Sequence, residues 1–551
     1  MHSLLKRALT VGIVGAMLVL SLAGCTQSAT NQSEDNTNNA QTLQEITLCE
    51  SWNFDGGFSV LQAPALHNGT FGLLYYLDNF YETLVRYDNG EIVPGLAESW
   101  EISSDALTYT FHLQKNIKFS DGKIFNAEAV KLNFDNMPTI LGDSNGVFGL
   151  TSTLLDEVTA VDEYTVAVKL TTPYYGALQD FTLPLPMGIM SPNAFNEDGT
   201  LSEAVKTQTM GTGPYMYAGQ KENDVYTFVR NPNYDRAESD VDVFHIKIIS
   251  DNDAKLLALR NGEIDMLLAA NNMSYDAYQE LSEDPAFDTL ISDAVIQTRI
   301  LGINPTAQPF DDICVRQAVN YAINIESICQ NIFNGVESPA ESVMDPSLPY
   351  CDVDTDTYDY SLEQATKLLD TAGWTDSDGD GIREKDGVKL NTSISCSSDL
   401  AMLKDVAAAV AADLQAVGFE VTTSSKETMT YYQDVNRGDY GIGIGITFNI
   451  PMDPFQFIAN LRREPMRDNM VAQGLLSLPD SDTLINSLYS MTDDTEIQTV
   501  YNSILQTLHD DAVIIPLSRV KGIAAYHNDK IAGYTFASEP DYYNVASIDL
   551  K

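Results

Sequence analysis

Residues 401–423, AMLKDVAAAVAADLQAVGFEVTT, put the architecture into one line. Ala401 to Val417 reads as a helix, Gly418 stops it, and FEVTT follows as a strand. Helix, glycine, strand is the rhythm of an α/β sheet. The same rhythm begins upstream in YDYSLEQATKLLDTAGW (358–374). Ser361 stands three residues before Gln364, the spacing of a capping box. Leu362, Ala365, Leu368, Leu369 and Ala372 then form a helical stripe, and Gly373 supplies the stop. Nearer the N-terminus, LTYTFHL (107–113) and YTVAVKL (164–170) alternate with period two and read as strands. No internal repeat is evident. The fold class is therefore α/β. A folded body of about 500 residues exceeds one compact core, so two or more lobes are expected.

The first twenty-five residues set the location. Lys6 and Arg7 make a basic start, residues 8–24 carry no charge and are mostly apolar, and the run closes on Leu22-Ala23-Gly24-Cys25. That order is a secretory signal, residues 1–24. Cysteine straight after two small residues resembles the bacterial lipobox, which implies a diacylglyceryl group on the Cys25 thiol. A transmembrane anchor ending in cysteine is the other reading, but the run is short of the ~20 residues that a span needs. Residues 25–44 continue as CTQSATNQSEDNTNNAQTLQ, nearly all polar. With so little to bury, this segment is expected to be a disordered tether. Globular sequence starts near Glu45. The expected location is extracytoplasmic, with lipid on Cys25 as the membrane anchor.

Charge narrows the partners. The chain has 31 Lys and Arg against 78 Asp and Glu, a formal net charge of −47. Loss of Lys6 and Arg7 with the leader would take it to −49. Nucleic acid and anionic membrane surfaces are poor partners for such a chain. Either long-range attraction of cationic ligands or a heavily solvated extracellular surface accounts for it. No second long apolar run follows the leader. Beyond Cys25, the five cysteines 49, 314, 329, 351 and 396 show neither a CxxC nor tight spacing, so no disulfide framework or zinc motif is expected. Most are expected to be small buried apolar residues. Cys314 and Cys329, read as lying on one helical segment, could not bridge without breaking it. The six histidines form no HExxH or close pair, and His509 is expected to pack or cap a helix. No nucleophile elbow or paired-carboxylate motif is recognisable. Gly211-Thr212-Gly213-Pro214 lacks the Gly-Lys and helix of a phosphate loop and is expected to be a structural turn.

Several ordered stretches resemble one family: YETLVRYDNGEIVPGLAESWEIS (81–103), IKFSDGKIFNAEAVKLNFD (117–135), MGTGPY (210–215), LALRNGEIDM (257–266), INPTAQPFDDICVRQAVNYAIN (303–324) and YDYSLEQATKLLDTAGW (358–374). They are similar to the family 5 extracellular solute-binding proteins of peptide and nickel ABC importers, over essentially all of residues 45–551. The resemblance implies a two-lobed periplasmic-binding-protein-like fold of type II, with the extra subdomain of the peptide/nickel-binding cluster. Lobe I would hold residues 45–295, with the subdomain at about 86–200. Lobe II would hold 296–519, and 520–551 would return to lobe I. LPLPMGIMSPNAF (183–195), MDPFQFIANLR (452–462) and ILQTLHDDAVIIPLS (504–518) resemble the nickel-importer branch in particular. In that branch an arginine grips the chelator carboxylates and a histidine ligates the metal. Here those places fall at Leu185 and near Met466. Phe448 stands where the branch has tryptophan, and Met452 replaces a tyrosine. Arg463 and Arg467 stand close by as alternative anion-binding groups.

Physics points to a binding role beside the resemblance. A two-lobed α/β protein places its ligand in the cleft, lined by strand ends and the loops after them. Candidate ligand-binding residues are Trp52 and Asn53 after the first strand, and Tyr174 and Tyr175 after the strand at 164–170. Phe448, Asn449 and Asp453 follow the glycine-rich strand GIGIGITF, and Arg467 joins them. Aromatics give stacking area at low entropy cost, and Asp453 suits a ligand amine. The tyrosines also suit a core, and Asp453-Pro454 also suits a helix start. Arg299 suits either a ligand carboxylate or a hinge salt bridge. Asp376, Asp378 and Asp380 resemble the front of a calcium loop, but its twelfth position is Gly387, and only Glu384 stands in reserve. A surface turn of Asp and Gly needs no metal.

The expected function follows. The chain would capture a small solute, a short peptide or related polar compound, between two closing lobes and deliver it to an ABC permease driven by a separate ATPase. It would work as a monomer, without cofactor or catalytic turnover. The alternative within the family is a nickel-chelate binder. An extracellular peptidase and a sensory solute receptor stand as readings from other classes.

Overall fold

The computed structural model describes residues 43–61, 71–88, 90–146, 148–221, 225–269, 272–398, 402–447, 454–463, 468–539 and 542–551. The leader, Cys25 and nearly all of the tether lie outside them. No helix among the described residues is long and apolar enough to cross a membrane.

Three sheets carry the fold. The first joins Glu45–Glu50 to Val243–Ile248 in parallel, then adds Val225–Arg230 and Tyr215–Lys221 antiparallel. The second is antiparallel, in the spatial order Ala97–Ile102, Thr108–Leu113, Thr165–Leu170 and Leu155–Asp162. Its strands at 108–113 and 165–170 are those that period two predicted, and both show alternating burial. Helix Ala127–Leu141 backs this sheet, capped by Asn126, whose side chain accepts from Ala129 N.

The third and largest sheet contains the stretch at 401–423. Helix Leu403–Ala416 buries Leu403, Val406, Ala407, Val410, Ala411 and Leu414 at three- and four-residue intervals. Gly418 follows at φ +97°, a left-handed turn that a side chain would strain. Strand Glu420–Lys426 then pairs in parallel with Asn391–Ser397, which also pairs in parallel with Ile442–Ile446. The helix is thus the crossover of a βαβ unit. Upstream, Ser361 Oγ accepts from Gln364 N at 3.2 Å, capping helix Leu362–Thr371.

Two long strands complete this sheet. Phe287–Ile303 and Ile514–His527 run antiparallel along most of their lengths. Their register breaks between Ile291 and Val295, between Val295 and Gln297, and again between Arg299 and Ile300. Bulges of this kind bend a strand and raise its twist. Beyond the breaks, Ala524–Tyr526 pairs with the short strand Met266–Leu268, while Arg299–Ile303 pairs with Ile442–Ile446.

The last residues close back on the first. The Asn79 side chain donates to Tyr543 O at 2.6 Å and accepts from Val545 N at 2.9 Å. Gly211 and Gly213 are needed for close approach, since a Cβ on them would lie 2.0 Å from Phe80 O and 2.6 Å from Phe80 C. The Gly-Thr-Gly-Pro segment is a turn against backbone, as expected.

One sequence expectation needs correction. Cys314 and Cys329 lie on separate helices, Ile313–Ala322 and Ile325–Asn331, divided by the cap residue Asn324. Asn324 Oδ1 accepts from Ser327 N and starts the second helix. All five described cysteines are free thiols, and Cys49, Cys329, Cys351 and Cys396 are buried.

Candidate ligand-binding site

The two long strands position the first group of residues. Thr298 faces Arg519 and Arg299 faces Ser518 on adjacent rungs. Arg299 gives its guanidinium to Glu337, Nη2 to Oε1 at 2.6 Å and Nε to Oε2 at 3.2 Å. Glu337 also accepts from Tyr275 Oη at 2.7 Å and from Ser518 Oγ. Burial alone would lower the arginine's pKa, and the Glu337 charge outweighs it, leaving the group above its ordinary value. Of the two roles open to Arg299, the structure shows the salt bridge. Arg519 donates to the Thr298 hydroxyl, to Ser342 Oγ at 2.9 Å and to Met344 O at 3.1 Å. The segment 337–345 is thus tied to both strands.

The end of the first strand carries the second group. Glu50 is fully buried, and burial pushes its carboxyl up to about 7. Lys255 is buried beside it and has an acceptor for each of its protons: Ser51 Oγ at 2.6 Å, Asn272 Oδ1 at 2.8 Å and Asn252 Oδ1 at 3.0 Å. Trp52 is half-buried, with its ring near parallel to Tyr75 at 6.1 Å, and Tyr75 stacks on Tyr543 at 5.3 Å. Asn53 Oδ1 accepts from Asp55 N at 3.2 Å, closing an Asx turn.

Tyr174 and Tyr175 sit in a cluster drawn from distant parts of the chain. Tyr174 is 1% exposed, so it is packed rather than open to solvent. Its ring lies 5.7 Å from Phe455 and 6.3 Å from Tyr489. Tyr175 remains partly exposed. Its hydroxyl meets the Tyr501 hydroxyl at 2.7 Å, and its ring meets Tyr350 edge-on at 5.7 Å.

Phe448, Asn449, Asp453 and Arg467 lie outside the described residues, with Met452 and Met466. Their approach is described: Thr447 ends the strand Ile442–Ile446, donating to Thr298 O at 2.8 Å and accepting from Thr298 N at 3.0 Å. Arg463 gives Nη2 to Leu475 O at 2.9 Å. Leu185 is 5% exposed, inside the apolar core.

The acidic loop assembles differently from the expectation. Asp376, Asp378 and Glu384 bring carboxylate oxygens within 4.8 Å of one another. Asp380 instead pairs with Lys389 at 2.7 Å. Asp376 accepts from Gly379 N and Gly381 N, and Glu384 accepts from Ser377 N. These bonds explain the loop without an ion.

Sequence reasoning missed Glu337, Arg519, Lys255 and the Tyr501 partner of Tyr175. Each acts through a residue hundreds of positions away or on another strand, and no local spacing announces it. The buried pair of rungs had one signal, two arginines inside strongly apolar strands, where an unpaired charge is costly.

These features belong to a solute-binding scaffold: a parallel βαβ unit and a pair of long antiparallel strands within one large mixed sheet. The chain belongs to the bacterial extracellular solute-binding proteins, family 5, whose middle region matches residues 91–467. It is 32% identical over 446 residues to the nickel-binding periplasmic protein of Escherichia coli K12, covering 80% of this chain and 83% of that one. It is 30% identical over 387 residues to a putative ABC transporter peptide-binding protein of Brucella ovis, covering 68% and 69%. Among solved structures, NikA from Brucella suis in complex with Fe(III)-EDTA superposes with a TM-score of 0.84 at 28% identity, covering 92% of this chain and all of that one. The architecture is the two-lobed α/β fold of this family. Proteins of this family bind solutes outside the cytoplasm and work with ABC permeases.

Proposed function

We propose that this protein captures a short peptide or related small polar solute between its lobes and hands it to an ABC permease, with ATP spent by a separate subunit. The single observation that carries the ligand preference is Leu185. The resemblance puts the chelator-gripping arginine of the nickel branch at this position, and here it is a leucine at 5% exposure in an apolar core. A nickel chelate is the second reading, and the name of the Escherichia coli relative speaks for it.

Lobe I comprises 45–295 and 520–551, with the subdomain at about 86–200, and lobe II comprises 296–519. The register breaks at Ile291–Gln297 and the change of partners beyond them support a hinge near 295 and 520. A ligand touching both lobes shifts the population toward the closed form by its differential affinity. The contact of Tyr175 with Tyr501 joins residues of the two proposed lobes and supports this reading. Diacylglycerol on Cys25 holds the monomeric receptor near its permease, and the polar tether raises the effective concentration of the pair. The chain performs no catalysis of its own.

The test is a thermal-shift panel on the mature chain with di- to pentapeptides, free nickel, nickel–histidine and common sugars. A ligand at a hundred times its Kd stabilises by about 2.7 kcal/mol. Peptides are expected to raise Tm. A rise with nickel–histidine and none with peptides overturns the preference. Hydrolysis of the peptide panel by contaminant-free protein overturns the non-catalytic reading.

A further inference from the structure

A second chamber lies wholly within residues 320–516. Its volume is about 630 Å³, inside the range of small-molecule sites. The roof is the segment Cys351–Tyr360, which has no regular secondary structure. Cys351, Val353, Thr355 and Thr357 line the chamber, while the alternate residues Asp352, Asp354 and Asp356 face solvent. The roof is fixed at its ends. Tyr350 O accepts from Gln498 at 3.0 Å, Tyr358 Oη donates to His509 O at 3.3 Å, and Ser361 N donates to Tyr321 O at 2.8 Å. Between them, residues 354–357 make no backbone–backbone hydrogen bond to any described residue.

The lining has a definite chemistry. Its floor is apolar, formed by Ile323, Val343, Leu505, Leu508 and Ile514. Asn320 is 4% exposed. Its Nδ2 is used on Arg316 O, and its Oδ1 accepts from no described residue. His509 packs on Tyr358 at 4.7 Å, and no described residue bonds its ring nitrogens. Burial holds His509 below its ordinary pKa, so the ring stays neutral. Three carboxylates stand at the lining, Glu326, Glu341 and Asp359, none in an ion pair among the described residues. No lysine or arginine lines the chamber, and Arg519, behind Ser342 and Met344, is engaged by Asp345. An open acceptor on a buried asparagine, an apolar floor, aromatic edges and carboxylates with no direct ion pair suit one kind of guest.

We infer that this chamber is a second ligand site, separate from the cleft between the lobes, and that it takes a compact organic ammonium ion with an apolar body. The apolar body lies on the Leu505–Leu508 floor and the ammonium reaches Asn320 Oδ1 and the carboxylates. The flexible middle of the roof admits it.

The test is isothermal titration of the mature chain with 2-phenylethylammonium, and with phenylacetate as the anion of similar shape. Saturable binding of the ammonium and none of the anion is expected. Glu341→Gln with Asp359→Asn, both exposed positions, should weaken it about tenfold, the equivalent of 1.4 kcal/mol. Thr355→Trp, which fills the chamber from the roof, should abolish it. No saturable binding overturns the inference. So does equal binding of phenylacetate, or unchanged affinity in Thr355→Trp, which would place the amine elsewhere.

Discussion

Arg299 and Glu337 form a two-point ion pair, 2.6 and 3.2 Å, buried beside the paired long strands. Its position explains why the charge is tolerated. Glu337 takes four bonds, from Arg299 twice, Tyr275 and Ser518, so neither carboxylate oxygen is left unsatisfied. Arg299 lies on one long strand and Ser518 on the other, so one carboxylate ties both strands to the segment that follows it.

Breaking the pair should be costly. Arg299→Ala leaves Glu337 as an uncompensated buried charge and is expected to destabilise by about 3–5 kcal/mol. The double variant Arg299→Met with Glu337→Leu should lose much less. Urea unfolding of the three proteins checks this. Equal losses in single and double variants would show that packing, not charge, carries the effect.

Glu50 should make stability fall as pH rises. Its folded value of about 7 exceeds the ordinary 4.5, so the folded state holds its proton more tightly. The contribution is complete below pH 4.5 and is lost as pH rises through 7. Glu50→Gln removes that dependence. The stability gap between wild type and Glu50→Gln, followed by denaturant unfolding from pH 5 to 8, should move against wild type. A constant gap would refute it.

Gly211→Ala should destabilise through overpacking. Its Cβ would meet Phe80 O at 2.0 Å, and the backbone on both sides has to shift, at a cost of about 1–3 kcal/mol or more. Gly122→Ala is a control for positive φ alone, because nothing lies within 4 Å of its Cβ. Melting temperatures of the two variants separate the effects.

Tyr175→Phe removes one of two hydroxyls 2.7 Å apart. A hydrogen bond of this kind contributes about 1 kcal/mol net. The variant should therefore populate an open form more than wild type, seen as a larger radius of gyration in solution scattering. An unchanged radius, with unchanged stability, would remove this contact from closure.

Calcium should leave the melting temperature unchanged. Asp376 and Glu384 already accept the loop's own N–H groups. A rise with calcium, reversed by chelation and absent in Asp376→Asn, would show an occupied site.

Local elements were legible in the sequence because their causes are local. Ser361 caps its helix through a residue three places away, and Gly418 turns the chain next to the helix it ends. The alternation in 108–113 and 165–170 records which face of one sheet is buried. Cys314 and Cys329 were misjudged because the break between them is a cap, Asn324, set among helix-forming neighbours. The candidate site was less legible. Trp52 and Tyr175 could be named as strand-end aromatics, but their partners Tyr543 and Tyr501 come from the far end of the chain. Arg299 could be named as a charge in an apolar strand, but its acceptor depends on a fold that brings residue 337 across two strands.

The bonds from Asn79 to Tyr543 and Val545 set an order in time. A ribosome makes residue 79 long before residue 543, so the helical turn at Leu77–Asn79 waits through most of synthesis for the backbone that completes it. The stretch between the two long strands needs no such wait, for its helices and strands lie close together in the chain. The Asn79 side chain can therefore complete these bonds only once residues 543 and 545 have been made. A chain cut short by ten residues would lose this seam together with the buried Tyr543, Val545 and Ile548.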